Sequence, residues 1–534
     1  MKPELVKFLS TNDRPDESLV VYSKEWLRKV NLELSILNEQ MKALQLKHSQ
    51  LSETRNEYLI ITSSSRLLPA EIIAEILKAA LPPSHVPFSR QDRLEFRRFR
   101  SICRLWRIVA FSTPCLWSRL MIKFSAEEVE APTADPLSQH TLYHWFQRAG
   151  PNTPLTLCVV DGRSPRLEEY SESVDRLAKS ILFTASTADM RWQTLEFIFP
   201  QSEAHLILPP LSQELSNPEI YSPWASVRSL RLTLPADGLN PFSGIWSCGN
   251  EWFAQALPSL ETLRLGWDMG LLADVEPGAI ITHPKVKTLE ITFFAPPSIH
   301  IPHEALAVIK GLPSLNVLKI TRSPATTVYA DSDHFQGTDQ MTTHPKISYL
   351  TLHCALECLQ YFNFPAATRL AVEGAPPLDA TPILPFMRRS PNIAVLALAK
   401  SPGFAASDPH TLAHLVSLNP GLTFLSLPNC RVLSLLEKTN DITFLLPNIA
   451  HLSFDRVSLP DLPLISQFFR RRNERAKEEG HGMGNQVSLK EKKLHVFLVG
   501  QFAQNSREFL DCKKQLHTLG IVVQLRGSNK RLGF

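Results

Sequence analysis

The sequence predicts an α/β solenoid with a parallel sheet inside and helices outside, preceded by a small all-α domain and a long coiled-coil-like helix. A nine-residue unit recurs about every 27 residues after residue 190. Residues 63–122 contain short amphipathic helical stretches, and residues 20–62 carry apolar side chains at heptad spacing. The expected divisions are a disordered tail at 1–19, a helix at 20–62, a helical domain at 63–122, a linker with opening atypical repeats at 123–189, and the solenoid at 190–525 with an insert around 472–490.

The composition excludes several classes of protein. Of 534 residues, 44% are hydrophobic and 20% are charged, which argues against wholesale disorder and simple coiled coil. The net charge of +4 is too small for a dedicated nucleic-acid binder, and eight cysteines are too few for a disulfide scaffold. Because the sequence contains no apolar run long enough to span a bilayer, we expect no membrane partner and a cytoplasmic or nuclear location.

The first predicted element is a helix over 20–62, a stretch without Gly or Pro. Its apolar residues follow the heptad positions Val30, Leu34, Leu37, Met41, Leu44, Leu51 and Tyr58, with His48 and Arg55 interrupting the seam. Such a seam predicts either a homodimeric coiled coil through 20–62 or a helix laid against its own chain. The sequence does not decide between these two alternatives.

Two further helices are predicted, one over 66–82 and one within 97–120 that Thr113-Pro114 ends, with a proline-containing loop at 82–96. The first carries one apolar stripe of Ile72, Ile73, Ile76 and Leu77. Two or three short helices with such a stripe form a bundle that needs a partner surface. The alternative is an ordinary helical cap on the following domain.

The order of residues in this bundle resembles an F-box. The matching pattern is Leu68-Pro69-x-Glu71-Ile72-Ile73-x-x-Ile76-Leu77, then Cys103-Arg104-x-Trp106, Ala110, and Ser112-Thr113-Pro114-x-Leu116-Trp117. The resemblance implies docking on a Skp-type adaptor and, through it, on a cullin. The positions that match apolar residues of the motif are Leu68, Pro69, Ile72, Ile76, Trp106, Leu116 and Trp117. Which of them face the adaptor and which hold the F-box together stays open.

The repeated unit is the strongest pattern in the chain. It reads LPSLETLRL (257–265), HPKVKTLEI (283–291), LPSLNVLKI (312–320), HPKISYLTL (344–352), FPAATRLAV (364–372), SPNIAVLAL (390–398), NPGLTFLSL (419–427) and LPNIAHLSF (446–454), with WASVRSLRL (224–232) and MRWQTLEF (190–197) as earlier copies. Its period is that of leucine-rich repeats. Within each strand, residues such as Leu263 and Leu265 should point inward and Arg264 toward the concave face.

The opening and the inserts are less regular. A strand at 154–160 and helices at 140–149 and 173–182 are expected to form the first repeats, and inserts are expected at 235–249, 324–343 and 472–490. An F-box followed by such repeats resembles the F-box proteins of mushroom-type fungi. That resemblance implies a non-catalytic substrate receptor of a cullin-based (SCF-type) ubiquitin ligase, and the alternative is a non-degradative interaction scaffold.

No motif in the sequence predicts an enzyme, a cofactor or a metal site. His140 and His144 have helical spacing but no accompanying ligands, and Cys354 with Cys358 lies where a repeat strand turns into its helix. The basic stretch at 90–107 is interpreted as a solvated or adaptor-facing side of the F-box-like helix, and the one at 470–493 as a solvated loop or, alternatively, a nuclear-import signal, so no nucleic-acid partner is expected.

Substrate contact is predicted on the concave face. The side chains between the paired strand leucines are charged in the first five repeats and small and neutral in the next five, in the order Glu196, Arg231, Arg264, Glu290, Lys319, Thr351, Ala371, Ala397, Ser426 and Ser453. Charge depletion with aromatic neighbours is typical of an interface core. The candidate substrate-binding residues are Tyr349, Thr351, Val395, Phe424 and Ser426. The alternative is that loops or the final segment 491–525 cover this half.

Overall fold

The computed structural model describes the long N-terminal helix, the helical segment after it and the strands and helices of a repeat array. The described residues are 14–62, 68–124 except 84, 139–161, most of 177–198, 224–233, 252–268, 281–294, 303–323, 341–374, 382–399, 418–427, 449–480, 494–500 and 506–526, with the isolated residues 6 and 415.

The first element is one continuous helix, α1, at Glu17–Ile61. It begins three residues before the predicted boundary at 20 because Asp16 acts as its N-cap, accepting a hydrogen bond from the backbone N–H of Leu19. Most of the predicted disordered tail lies outside the described residues. None of the residues of α1 is buried.

The helical segment contains three short helices, and its predicted bounds are partly wrong. The helices are α2 at Ala70–Ala80, α3 at Arg90–Ser101 and α4 at Arg104–Phe111, followed by a 3₁₀ turn at Pro114–Leu116. The predicted loop 82–96 already becomes helical at Arg90, since Ser89 and Asp92 cap each other's backbone at the start of α3.

The prediction of one continuous helix from 97 to the stop at Thr113-Pro114 is wrong, although α4 does end at Phe111, just before that stop. The chain breaks between α3 and α4, and the indole of Trp106 then stacks on the ring of Phe99, with centroids 6.1 Å apart. The guanidinium of Arg107 donates to the carbonyl of Arg100 across the same break. A turn that brings two aromatic rings together therefore replaces the continuous helix.

In the described part of the chain, fourteen parallel strands form one open sheet in chain order. They are β1 Arg119–Phe124, β2 Leu155–Asp161, β3 Trp192–Ile198, β4 Ser229–Thr233, β5 Thr262–Asp268, β6 Thr288–Phe294, β7 Val317–Ser323, β9 Tyr349–His353, β11 Arg369–Glu373, β12 Val395–Ala399, β13 Phe424–Leu427, β14 His451–Val457, β15 His495–Gly500 and β16 Val522–Arg526. The short strands β8 Thr342–Thr343 and β10 Phe362–Asn363 form a separate pair. An α/β solenoid is thus confirmed, and its first strand, β1, crosses the predicted boundary at 122.

Helices occupy several of the connections between strands. They are α5 Gln139–Gln147, α6 Trp252–Ala256, α7 His303–Lys310, α8 Ile383–Arg389, α9 Leu462–Gly480 and α10 Arg507–Thr518. The predicted helix 140–149 and strand 154–160 are confirmed as α5 and β2. The predicted insert 472–490 begins inside α9, whereas the inserts 235–249 and most of 324–343, and most of the helix 173–182, lie outside the described residues.

The register of the sheet follows the leucine pattern without a slip across the central repeats. Leu263 pairs with Leu289, Leu289 with Leu318, and Leu318 with Leu350, and all four are fully buried. The alternate residues form a separate in-register row from Glu196 to Ser453. The inward leucine core predicted from period two is therefore confirmed.

Two buried histidines join neighbouring repeats. His283 and His344 occupy the same position in two repeats, and each places Nε2 3.0 Å from a carbonyl of the preceding repeat, that of Leu257 and that of Leu312. Each Nδ1 accepts from the backbone N–H two residues later, so the ring proton lies on Nε2. Burial lowers the pKa of both imidazoles, while the hydrogen bond to the carbonyl partly opposes this.

The chain divides into two compact units. One comprises Met1–Ala80 and Arg97–Ala110, and the other comprises Leu81–Phe96 and Phe111–Phe534. The helical domain predicted over 63–122 is shared between them. Among the helices of the described part of the chain, none is long and apolar enough to cross a bilayer.

Candidate functional site

The first candidate surface is the outer side of α2. Ile73 and Leu77 are completely buried, whereas Ile72 is 48% exposed and Ile76 is half-buried. Leu68, just before the helix, is also half-buried, and Pro69 is exposed. Since residues four apart lie on the same side of a helix, Ile72 and Ile76 form an apolar ridge that the protein itself does not cover.

The apolar stripe of α2 is therefore wider than the side of the helix that packs inside the protein, which Ile73 and Leu77 already fill. A helix that only capped a neighbouring domain would expose polar residues at these positions. We define the adaptor ridge as Leu68, Pro69, Ile72 and Ile76.

The remaining matched residue of this unit, Trp106, has a different position. It is buried on α4 and stacks on Phe99. On the same part of the chain, Ile102 and Ile108 are exposed. Sequence reasoning missed both, although isoleucines within the arginine-rich segment 97–111 were a usable signal.

Leu116 and Trp117 form part of an aromatic core in the second unit. The indole of Trp117 lies 5.0 Å from the ring of Phe96 and 4.8 Å from that of Trp145, measured between centroids. The guanidinium of Arg148 lies 4.8 Å above Trp117. Both Leu116 and Trp117 are buried, so their place is in the packing at the first strands of the sheet.

The second candidate surface is the row of side chains between the paired core leucines, which we call the concave row after its predicted position. Its first half consists of two acidic and three basic residues in register. Glu196 lies 3.3 Å from Arg264 and 4.0 Å from Arg231. Glu290 lies 3.2 Å from Arg264 and also pairs with Lys319. We call these five residues the charge ladder.

The two acids of the charge ladder are recessed and the three bases protrude. The side chains of Glu196 and Glu290 are 18% and 25% exposed, whereas those of Arg231, Arg264 and Lys319 are between 38% and 44% exposed. The ladder consequently presents cationic groups to anything that approaches the concave face.

A polar groove of about 350 Å³ opens at the start of the same strands. Its floor consists of four hydroxyl-bearing residues in register, Thr156, Thr194, Ser229 and Thr262, and its rim includes His85, Pro87 and Arg228. Sequence reasoning missed this groove, because the segment at 85–87 that closes it lies far from the repeats in the sequence.

The thiol of Cys158 lies beside the groove and is unreactive. It donates to Glu196 at 3.6 Å, and burial, together with that carboxylate, raises the pKa of Cys158 to about 12. A thiol that stays protonated at neutral pH is not a nucleophile.

Four of the five residues in the second half of the concave row are buried, contrary to the exposure predicted from period two. Ser426 is 1% exposed and Ser453 is completely covered. Phe424 is also buried, against His451 at 6.3 Å between ring centroids. The final segment does not provide this cover in the way anticipated, because β15 and β16 extend the sheet.

Three of the predicted substrate-binding residues remain accessible. Tyr349, Thr351 and Val395 are half-buried. Tyr349 pairs in register with Val317 and Arg369, and Thr351 pairs with Lys319 at the end of the charge ladder. The accessible candidates therefore lie where the charged half meets the neutral half.

The candidate metal ligands singled out in the sequence do not come together within the described ranges. No group of three or more His, Cys, Asp or Glu side chains that could hold a metal occurs there. His140 and His144 contact each other, with their Nε2 atoms 2.9 Å apart, and Nδ1 of His144 lies 2.8 Å from the side-chain oxygen of Gln147. Cys354 donates to the carbonyl of Gly374, and burial raises the pKa of Cys358.

Comparisons with known proteins find a similarity among solved structures. No protein-family model matches the chain, and no curated protein matches it. The chain is similar to the crystal structure of the Rad7 and Elc1 complex in yeast, at 11% sequence identity and a TM-score of 0.29, over 77% of this chain and 94% of that chain. The fold described above rests on the order and register of the strands.

Proposed function

We propose that this protein is the substrate-recognition subunit of a cullin-based ubiquitin ligase. The adaptor ridge would bind a Skp-type adaptor, and the solenoid would hold the protein to be ubiquitinated. The observation that carries the proposal is that Ile72 is exposed and Ile76 only half-buried on a helix whose opposite side carries the completely buried Ile73 and Leu77. Accessible isoleucines at these positions of an F-box-like pattern fit a surface completed by a partner.

The division of the seven matched residues supports this role. Leu68, Pro69, Ile72 and Ile76 are accessible to a partner, whereas Trp106, Leu116 and Trp117 are buried. In this proposal the first four contact the adaptor and the last three maintain the surrounding packing. The two roles predict different effects of mutation.

Substrate contact is proposed around the accessible part of the concave row. Tyr349, Thr351 and Val395 offer apolar and hydroxyl groups, with Arg369 exposed beside Tyr349 and Lys319 beside Thr351. A half-exposed tyrosine bordered by cationic groups is a typical anchor of a protein interface. Phe424 and Ser426 are buried and would support this surface from within.

The receptor would contribute proximity and no covalent chemistry. By holding a substrate beside the ligase, it would raise the effective concentration of substrate lysines near the activated ubiquitin. A cytoplasmic or nuclear location is part of the proposal, because the ubiquitin ligases of this type operate there.

Affinity purification of the full-length chain, with and without proteasome inhibition, tests the proposal. We expect a Skp-type adaptor and a cullin in the purified material, and at least one further protein that accumulates when the proteasome is inhibited. A purification that returns the adaptor without a cullin, or proteins unaffected by the inhibitor, would indicate a non-degradative scaffold.

A further inference from the structure

The long helix α1 has an apolar seam that its own chain leaves open. Its 45 residues would form a rod about 67 Å long. The seven apolar seam residues are between 39% and 68% exposed: Val30, Leu34, Leu37, Met41, Leu44, Leu51 and Tyr58. The alternative of a helix laid against its own chain is therefore not what the structure shows. The seam fits a second helix of the same kind.

A parallel, in-register pair of these helices would be poorly matched. In that arrangement each seam residue faces its own copy, so His48 would face His48 and Arg55 would face Arg55. A guanidinium is always protonated, and two of them at the seam would repel each other at close range. The two residues that interrupt the seam thus disfavour the parallel pair.

We propose that α1 forms an antiparallel homodimer in which the two helices overlap along their whole length. Each residue then lies opposite the residue equally distant from the other end, so that Glu17 is level with Ile61. Leu34 faces Leu44, and Leu37 faces Met41. An antiparallel coiled coil requires the first apolar position of a heptad to face the second apolar position of a heptad on the other helix. The full overlap gives this pairing along the seam.

The same overlap resolves both interruptions. His48 meets Val30 of the second copy, and Arg55 meets Ser23, a small polar residue near the helix start. No cation faces another cation at the seam. The long aliphatic stem of Arg55 can lie over Ser23 while its guanidinium reaches water.

The charged residues Glu33 and Lys47, which flank the apolar seam, favour this antiparallel register over the alternatives. Glu33 and Lys47 occupy the same flanking position of their heptads, and the antiparallel overlap places Glu33 of one copy beside Lys47 of the other, twice in the dimer. Within the described part of the chain, neither side chain forms an ion pair; the pairs on α1 are Lys29 with Glu25 and Lys42 with Glu39. A shift by one heptad would place Glu33 beside Gln40 or Thr54, and a parallel pair would place it beside Asn38.

The antiparallel dimer has a geometric consequence. The two chains leave the rod at opposite ends, so the two Ile61 residues lie about 65 Å apart. Two copies of the adaptor ridge would begin seven residues beyond those ends. The dimer is independent of the proposed ligase function, since it depends on α1 alone.

Charge reversal in the full-length protein tests the arrangement. Glu33→Lys creates two Lys–Lys contacts in the dimer, and Lys47→Glu creates two Glu–Glu contacts. We expect each variant alone to dimerise more weakly, by roughly tenfold or more in dissociation constant at low salt. An equimolar mixture of the two variants should recover the affinity of the unaltered chain, because each Lys then meets a Glu.

Sedimentation equilibrium of each variant and of the mixture provides the measurement. Glu39→Lys and Lys42→Glu are the matched controls, because these residues lie on α1 away from the seam, and mixing them should change nothing. A monomeric unaltered chain at tens of micromolar would overturn the dimer. A dimer that is insensitive to the reversals, or not rescued by mixing, would overturn the antiparallel register.

Discussion

Ile72 and Ile73 are neighbours on one helix, and Ile73 is completely buried while Ile72 is 48% exposed. Ile72 belongs to the surface and Ile73 to the core, although their side chains are chemically identical. Ile73→Ala should lower the free energy of unfolding by about 2–5 kcal/mol, because it leaves a cavity. Ile72→Ala should change it by less than about 0.5 kcal/mol. Denaturant unfolding of both variants checks this, and equal losses would place both residues in the core.

The buried histidines predict a dependence of stability on pH. The folded-state pKa of His283 and of His344 is lowered by burial, so the unfolded chain binds more protons below the ordinary histidine pKa of about 6.5. Stability due to these groups is therefore present above that pH and is lost as the pH falls toward their folded-state pKa. Within that window each imidazole should contribute a slope of up to about 1.4 kcal/mol per pH unit.

Glutamine variants isolate this effect from other titrating groups. His283→Gln with His344→Gln keeps an N–H donor near the carbonyls of Leu257 and Leu312 but removes the titration. We expect a flatter dependence of the unfolding free energy between pH 7 and pH 5 for the double variant, although it is less stable at pH 7. Identical slopes in the two proteins would show that the histidines do not titrate on unfolding.

The buried serines of the concave row predict stabilising substitutions. The hydroxyls of Ser426 and Ser453 are buried and have no hydrogen-bond partner within the described part of the protein. Burying an unpaired hydroxyl costs about 1–3 kcal/mol. Ser453→Ala should consequently leave stability unchanged or raise it, by up to about 1 kcal/mol. A clear loss in thermal unfolding would reveal a hydrogen bond that the alanine cannot make.

Two aromatic residues of the concave row should behave differently. Phe424 is buried, and Phe424→Ala is expected to lower the free energy of unfolding by about 3–5 kcal/mol. Tyr349 is half-buried, and Tyr349→Ala should lower it by about 1 kcal/mol. If the proposed substrate surface is correct, Tyr349→Ala reduces capture of the substrate in the purification described above, with the fold retained. Normal capture by this variant would remove Tyr349 from the surface.

The repeat pattern predicted most of the fold, because strand register depends on local alternation. Leucines such as Leu263 and Leu350 lie in the core as their spacing requires, and the residues between them form one continuous row. Alternation assigns a side chain to one face of a sheet but does not say what else covers that face. The burial of Phe424 and Ser453 therefore could not be predicted from period two.

The ends of the helical segment were harder to predict, since they depend on contacts distant in sequence. The carbonyl of Met121 accepts a hydrogen bond from Arg93, and the guanidinium of Arg119 donates to carbonyls of Pro83 and Val86. These contacts fix the segment at 81–96 against the first strand. The apolar spacing within 66–82 correctly predicted a helix with an apolar stripe, but only burial separates Ile72 and Ile76 from Trp106 and Trp117.

Binding of a purified Skp-type adaptor to the full-length chain tests the central claim most directly. Ile72→Asp with Ile76→Asp places two charges on the adaptor ridge, and Leu510→Asp, at an equally exposed leucine of α10, is the matched control. By titration calorimetry we expect binding by the unaltered chain and by the Leu510 variant, and a loss of at least a hundredfold in the ridge variant, since a charge buried without a partner costs several kcal/mol. Absence of binding by the unaltered chain, or undiminished binding by the ridge variant, would contradict the account.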